Sequence, residues 1–163
     1  MMNSFYDLLK SRRSIRKYLP KSVETEKISI ITTAALMSPA SKRSNPWEFV
    51  IVTDKEMLFK LANCRQHGSQ FLADSPLGIV VIADTTKSDI WMEDASIAAI
   101  IMQLQAQDLG LGSCWIQVYN RMKNEEITSE SYIRDLLLIP EHFAVLNILS
   151  IGYPNEDRKP YDE

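Results

Sequence analysis

The segment Trp91–Gln117 constrains the fold more than any other part of the sequence. Residues 91–110 have the pattern of one long helix, and residues 112–118 have the composition of a buried strand that follows it directly. Nearly every position between Ala95 and Met102 is apolar, and a helix that is apolar on all sides must be covered on all sides. With a length of about 30 Å by helical rise, this helix can cross a chain of this size. The pattern predicts a long central helix covered by a deep core or by a second subunit.

Composition bounds the class of protein. With 163 residues, 45% hydrophobic and 24% charged, the chain is expected to form one globular domain over residues 1–163. The net charge of −3 disfavours nucleic acid as a partner. No apolar window reaches about 18 residues and no signal-peptide run is present, so we expect no membrane association and a cytoplasmic location. Cys64 and Cys114 are expected to be free, buried thiols.

Helical and strand patterns alternate along the rest of the chain. Strands are predicted at 47–52, 77–83, 112–118 and 143–151. Further helices are predicted from Ser4 and at 24–37, 54–64 and 125–138. Ser22 is expected to cap the second helix, and Ser88 or Asp89 the long one. This order indicates a sheet sandwiched by helices in an α+β or α/β domain.

Residues 12–17 concentrate positive charge near the start of the chain. Arg12-Arg13-Ser14-Ile15-Arg16-Lys17 contains four cations and a hydroxyl. Arginine presents a planar fork that matches phosphate oxygens, and serine adds a neutral donor. The segment therefore suits a phosphate group, and a solvated basic turn is the alternative interpretation.

Residues 38–46 form a second polar segment, a loop with two prolines, three serines, an amide and two cations before Trp47. Such loops on a rigid scaffold often hold ligands, although this one can also be a simple connection. His67 and His142 stand alone, and no Ser/His/Asp, G-x-S-x-G, GxGxxG or Walker pattern is present. Cys114 lies in an apolar strand and is expected to be structural. A chain without such machinery binds a ligand or takes its chemistry from a cofactor.

Four motifs in this order resemble the nitroreductase family over about Ser4 to Pro160. They are Arg12-Arg13-Ser14-Ile15-Arg16-Lys17-Tyr18, Ser38-Pro39-Ala40-Ser41 with Asn45-Pro46-Trp47-Glu48-Phe49, Leu109-Gly110-Leu111-Gly112-Ser113-Cys114-Trp115-Ile116, and Ile151-Gly152-Tyr153-Pro154. Each motif is weak alone, but four in the family's order make a specific pattern.

The resemblance implies an α+β fold: a nitroreductase-like three-layer α/β/α sandwich with a central mixed sheet and a long central helix. It also implies an intertwined homodimer with FMN at its interface. Dimerisation is expected because Ile97, Ile100, Ile101 and Met102 cannot all be covered within one subunit. The implied activity is an NAD(P)H-dependent FMN oxidoreductase that reduces a small electron acceptor, nitroaromatic or quinone, by ping-pong hydride transfer through flavin N5. The alternative is a flavin- or nucleotide-binding or sensing protein without efficient turnover.

Carried over residue by residue, the resemblance assigns cofactor-binding residues in three groups and a C-terminal pair, with the chemistry on the flavin itself. The phosphate and ribityl chain are expected to contact Arg12, Arg13, Ser14 and Arg16. The group expected to line the flavin from the partner subunit is Pro39, Ala40 and Ser41. The residues expected against the flavin ring are Trp115, Ile116 and Gln117. The basic pair that loosely matches the family's C-terminal phosphate-binding cations is Arg158 and Lys159.

The chain departs from the family pattern at Arg43, where the family usually carries an asparagine at the polar edge of the flavin. A cation there is expected to stabilise the reduced flavin at its N1–C2=O edge or to reach the phosphate. Solvent exposure or an ion pair with Glu48 is the alternative. The chain is also too short for the helical excursion that covers the flavin in longer members, which leaves the substrate pocket undefined.

Overall fold

The computed structural model describes residues 4–161. These residues form five α-helices, namely α1 (Phe5–Ser11), α2 (Thr25–Leu36), α3 (Lys55–Ala62), α4 (Trp91–Asp108) and α5 (Ser129–Leu137). They also form four strands, namely β1 (Trp47–Val52), β2 (Leu77–Asp84), β3 (Gly112–Gln117) and β4 (Phe143–Gly152). Short 3-10 turns cover Ser41–Arg43 and Gln70–Asp74. All four predicted strands and the long helix are confirmed.

The four strands form one sheet in the order β1-β2-β4-β3. Each neighbouring pair is antiparallel, so the expected mixed sheet is antiparallel throughout its four named strands. A parallel component is present as a single bridge between Ser14 and Ser113, at the outer edge of β3. The two central strands β2 and β4 are buried along their whole length, as their near-continuous apolar sequences predict.

Helices cover both faces of the sheet, which gives the three-layer α+β sandwich that the family resemblance implies. On one face a core forms between the sheet, α2 and α4, and it includes Ile31, Ala99 and Leu149. On the other face a second core forms with α3 and α5, and it includes Leu58 and Ile133. No helix within residues 4–161 combines the length and the apolar composition that crossing a membrane requires.

The long helix α4 is apolar all round, but its two sides differ in how they are covered. Ala95, Ala99 and Met102 are fully buried in the core beneath it. Ile97 and Ile100 remain 39% and 38% exposed on its outer side. Met102 is therefore covered within one subunit, whereas Ile97 and Ile100 are not, which agrees with the expectation that the four apolar residues cannot all be covered within one subunit.

The ends of the helices follow sequence rules in part. Ser4 and Asp7 form a capping box at the start of α1, and Gly110 after α4 has a positive φ of 76°, as is common for a glycine that ends a helix. Ser22 is not the cap of α2, whose N-cap is Glu24. Neither Ser88 nor Asp89 is the N-cap of α4, which starts after Ile90 without a side-chain cap.

The helix predicted at 125–138 begins later, at Ser129, because the preceding residues form a turn of their own. The Asn124 carboxamide accepts hydrogen bonds from the backbone N–H groups of Glu126 and Ile127, at 2.9 and 2.7 Å. Thr128 then caps the helix through Ser131 N. An asparagine that binds the backbone two or three residues ahead stabilises a turn against a helix.

The end of α5 yields a stability prediction. Leu138 has φ 55° and ψ 42°, a left-handed conformation, and its side chain is 87% exposed. This conformation costs an L-residue with a bulky side chain roughly 1–2 kcal/mol, whereas asparagine tolerates it. Leu138→Asn should raise the free energy of unfolding by about 1 kcal/mol in chemical denaturation. Leu36→Asn is the control, since Leu36 is an exposed leucine inside the last turn of α2 and should give no gain.

Candidate functional site

The basic segment near the N-terminus lies against the edge strand β3. Ser14 forms the parallel bridge with Ser113, and Ile15 N donates to Ser113 O at 2.9 Å. The close approach depends on Gly112, because a Cβ there would lie 2.7 Å from Ile15 Cγ1. This packing brings Arg12, Ser14 and the backbone of Arg16 to the beginning of β3.

The C-terminal tail runs alongside this segment and binds part of it. Arg13 Nη1 donates to the carbonyl oxygen of Lys159, and the Arg13 guanidinium lies 4.6 Å from the Tyr161 ring centroid. The Tyr161 N–H donates to Lys10 O at 3.1 Å. Two of the predicted phosphate-binding residues are therefore in contact with each other. The side chain of Arg13 binds the backbone of Lys159 in the tail.

Glu156 is an acidic residue in this basic region that the sequence analysis did not single out. Its Oε1 accepts from Arg16 N at 2.6 Å and from Lys17 N at 3.2 Å. Its Oε2 pairs with Arg158 Nη2 at 2.9 Å. The hydrogen bond from Arg16 N and the nearby Arg158 charge hold the pKa of Glu156 below its usual range. Glu156 thus orders the backbone of the basic segment and engages Arg158.

Both cysteines are free and buried, as the sequence predicts. Burial raises the pKa of Cys64 to about 11. Burial also raises the pKa of Cys114, although the neighbouring Arg16 charge and a Ser14 hydrogen bond act in the opposite direction. Because the thiolate is the reactive form, neither side chain has the character of a nucleophile. Among residues 4–161, no three His, Cys, Asp or Glu side chains cluster closely enough to hold a metal ion.

The far end of β3 presents two of its three predicted residues to the face under α2 and α4. Trp115 Nε1 donates to Gln117 Oε1 at 2.8 Å, and Gln117 Nε2 donates to Tyr119 O at 3.0 Å. Both side chains are half-buried. Ile116 points the opposite way and is fully buried in the core with α3 and α5. Its side chain therefore cannot contact a ligand, which corrects its assignment to the flavin ring: it can contribute through its backbone alone.

The loop at 38–46 has an unusual backbone. Lys42, Arg43 and Asn45 have φ values of 53°, 55° and 43°, although none of them is a glycine. Ser41 N donates to the carboxylate of Asp94 in α4 at 2.9 Å. Pro39 and Arg43 are exposed and Ala40 is half-buried. Among the described residues, Arg43 makes no ion pair with Glu48. The ion pair that was the alternative interpretation of Arg43 is therefore not formed.

This loop also holds buried polar atoms that lack a partner within the described chain. They are the hydroxyl oxygens of Ser38 and Ser44 and the indole N–H of Trp47, which starts β1. A buried polar group without a hydrogen bond costs about 1–3 kcal/mol, so such groups normally have a partner.

The loop and the basic segment do not meet within one subunit. Ser41 is bonded to Asp94 near the start of α4, whereas Gln107 Nε2 near its end donates to Ser11 Oγ at 3.4 Å. Thirteen helical positions, from 94 to 107, separate these two attachments by about 20 Å. Within one subunit, a ligand that contacts both regions would have to span about 20 Å.

Comparison with known proteins identifies the family. The family model described as the nitroreductase family matches residues 9–64 and 55–153. The chain belongs to the nitroreductase family. A solved structure from Clostridium difficile R20291, described as an FMN-dependent nitroreductase, superposes with a TM-score of 0.95 at 53% identity, covering 96% of this chain and 91% of that one. The four motifs that carry the resemblance were therefore interpreted correctly.

Two further relatives match nearly the whole of this chain. A candidate NADH dehydrogenase/NAD(P)H nitroreductase of Archaeoglobus fulgidus is 35% identical over 165 residues, covering 99% of this chain and 91% of the relative. Mouse iodotyrosine deiodinase 1 is 25% identical over 179 residues, covering 94% of this chain, and the chain spans 63% of its length. The names of these relatives refer to different reactions, so the acceptor has to be argued from this chain's own site.

Glu156 gives a prediction about pH in this nitroreductase-family protein. Its pKa is lower in the folded state than the ordinary value of 4.5, so the unfolded chain binds this proton more tightly. The carboxylate therefore stabilises the fold above about pH 4.5, and this stabilisation is lost as the pH falls through the folded pKa. The gap in unfolding midpoint between the wild type and Glu156→Gln should be largest near pH 7 and close below pH 4.

Unfolding midpoints measured across this pH range test the prediction. Glu141→Gln, which changes an exposed carboxylate outside the tail, is the control and should show little gap at any pH. A gap for Glu156→Gln that stays the same at pH 3 and pH 7 would contradict a role for the carboxylate charge.

Proposed function

We propose that this protein is an FMN-dependent oxidoreductase that uses NAD(P)H to reduce a small electron acceptor of the nitroaromatic or quinone type. When bound, FMN would supply the redox chemistry, namely hydride transfer from the nicotinamide and reduction of the acceptor. The description of the 53%-identical relative as FMN-dependent supports this cofactor. The protein's own share is to bind, orient and shield the cofactor.

The observation that carries the proposal is that different kinds of groups lie at the two ends of the edge strand β3. At its beginning lie the cations and hydroxyl of the basic segment, joined to Ser113 by the bridge from Ser14. At its end lies Gln117, about 13 Å further along by strand rise. A molecule with an anionic end and a flat polar ring suits this arrangement, with the phosphate at the first end and the ring at the second.

At the phosphate end, the contacts divide the basic residues into two sets. Arg12, Ser14 and Arg16 are proposed to bind the phosphate and ribityl chain. Arg13 is held by the Lys159 carbonyl and the Tyr161 ring, and Arg158 is paired with Glu156. We therefore assign Arg13, Arg158 and Lys159 to ordering the phosphate end, with their charges adding to the local positive field.

At the ring end, backbone groups have the main role. A backbone N–H near Gln117 is proposed to donate to the ring nitrogen that receives the hydride, and Trp115 to pack beside the ring. Pro39, Ala40 and Ser41 of the partner subunit are proposed to line the cofactor. The unpartnered hydroxyls of Ser38 and Ser44 fit a loop that is completed by such an assembly. Arg43 stands next to this group, and its exposed side chain is available to a neighbouring polar edge.

The proposed homodimer follows from the uncovered side of α4. Ile97 and Ile100 are exposed there, and a groove of about 400 Å³ runs between α1 and α4, lined by Phe5, Leu8, Ile101 and Leu104. Exposed apolar surface of this kind is typical of an interface between subunits. Because one subunit keeps the loop and the basic segment about 20 Å apart, a second copy could complete each site.

Anaerobic reductive titration of the purified protein tests the function. The protein should carry bound FMN, and its visible absorbance should bleach on addition of NADH or NADPH and return with a nitroaromatic or quinone. Bound flavin that is not bleached by either nucleotide would favour a flavin-binding or sensing protein. A protein that retains no flavin when FMN is supplied would contradict the proposal.

The phosphate assignment predicts a selective loss of affinity. Charge-assisted hydrogen bonds contribute roughly 1.5–3 kcal/mol, so Arg16→Ala should weaken FMN by about one to two decades. Riboflavin lacks the phosphate and should bind the wild type and the variant about equally in fluorescence titrations. Lys17→Ala, at the neighbouring exposed cation, is the control and should have a much smaller effect. Equal weakening of both ligands by Arg16→Ala would make the residue structural.

The proposed dimer predicts that one substitution abolishes both dimerisation and FMN binding. Ile101→Glu places a charge in the apolar groove, which should dissociate the dimer because a buried unpaired charge is strongly unfavourable. FMN should be lost with it, as read by light scattering and flavin absorbance on one sample. Phe59→Glu is the matched control, since Phe59 is 62% exposed on α3 across the sheet. A stable, flavin-loaded monomer from Ile101→Glu would refute the assignment.

A further inference from the structure

Asp94 is a buried carboxylate to which the proposed function assigns no role. It lies in the first turn of α4 and is 2% exposed. Its Oδ1 accepts from Ser41 N at 2.9 Å, and its Oδ2 accepts from Ser88 Oγ at 2.7 Å. Burying a carboxylate is costly unless its oxygens are hydrogen-bonded, so both contacts matter to the fold.

The position of Asp94 separates it from an ordinary helix cap. The N-cap is Ile90, and Asp94 N donates to Ile90 O at 3.2 Å as a regular helical residue. The carboxylate receives its two hydrogen bonds from outside the helix, one of them from the loop at 38–46. The positive N-terminal end of the α4 dipole favours a negative charge near this position, but it does not explain the hydrogen bond to Ser41.

The loop needs such an attachment because its conformation is unfavourable on its own. Lys42, Arg43 and Asn45 are all left-handed, and left-handed L-residues persist where the surroundings fix them. Within the described chain, the other backbone bonds of residues 39–45 are local, from Arg43 N to Ala40 O and from Ser44 N to Ser41 O. The Asp94 carboxylate therefore ties the middle of this loop to the rigid helix.

We infer that Asp94 is a positioning residue for flavin binding: it fixes the Ser41 backbone so that the loop presents Pro39, Ala40 and Ser41 to the cofactor. The inference rests on the proposed function, since it assumes that this loop lines FMN. Asp94 touches neither cofactor nor substrate in this role and acts through the Ser41 amide. Ser88 supports it by bonding the second carboxylate oxygen.

Ser41→Pro tests the bond from the loop side. Proline lacks the N–H, and its ring suits the first residue of a 3-10 turn that follows an extended residue, here Ala40 with φ −136° and ψ 148°. Ser41→Ala removes the side chain, which the proposed function places beside the cofactor, but keeps the N–H, so it measures the side chain's own share. FMN affinity should be about tenfold lower in Ser41→Pro than in Ser41→Ala.

A double-mutant cycle tests the same bond from the helix side. Asp94→Ala alone should weaken FMN about tenfold, and adding Ser41→Pro to it should weaken FMN by no more than Ser41→Ala does in the wild type. Asp94→Asn keeps a side-chain oxygen for the Ser41 N–H and should restore affinity to within about threefold of the wild type. If Asp94→Ala does not fold, Asp94→Asn and Ser41→Pro still decide the outcome.

Two readouts separate positioning from general destabilisation. The ratio of FMN to riboflavin affinity should stay at the wild-type value in Asp94→Ala, because the loop lies away from the phosphate, whereas Arg16→Ala changes this ratio. The visible circular dichroism of FMN-saturated Asp94→Ala should differ from the wild type, since the surroundings of the ring change. Wild-type affinities and an unchanged spectrum in Asp94→Ala would overturn the inference while leaving the proposed function intact. A wild type that binds no FMN would overturn both.

Discussion

The packing of α4 against the sheet is the constraint on which the rest of the structure depends. The side chains that α4 turns toward the sheet include Ala95, Ala99 and Ala106, all fully buried, so the helix backbone can lie close to the strands. The larger Ile97 and Ile100 are on the outer side and remain partly exposed. This distribution of small and large apolar residues fixes which side of the helix packs in the core, and it leaves apolar side chains exposed on the other side.

The same helix holds three separate parts of the candidate site through polar side chains. Asp94 binds the loop at 38–46 through Ser41 N, Gln103 Nε2 donates to Ser113 Oγ at 3.1 Å, and Gln107 binds Ser11. These three residues are spread along a rigid element with a rise of about 1.5 Å per residue. The spacing between loop, edge strand and basic segment is therefore set by one helix, and a site on such a scaffold keeps its geometry better than one built on loops alone.

The sequence predicted the elements well because their apolar patterns are strong, and it predicted the contacts less well because these depend on tertiary structure. The run at 77–83 predicted a central strand and the run at 143–151 predicted a second strand, and both were identified without reference to the fold. Ser88 was expected to cap α4, but its hydroxyl donates to Asp94, a partner that becomes available once the helix is packed. Ile116 was assigned to the cofactor with its neighbours, although strand alternation alone places its side chain on the opposite face from Trp115. Glu156 carried no sequence signal, because its partners lie 140 and 139 residues away.

Arg43 shows how the backbone limits what a departure from the family pattern can mean. Its φ of 55° belongs to the left-handed region, which asparagine adopts more readily than arginine, so the family's usual asparagine suits the backbone as well as the ligand. In this chain the conformation is kept with an arginine, at a cost of roughly 1 kcal/mol that the surroundings must offset. The Ser41–Asp94 bond lies two residues away and ties the loop to α4. The guanidinium is exposed, on a loop whose backbone this bond attaches to the helix.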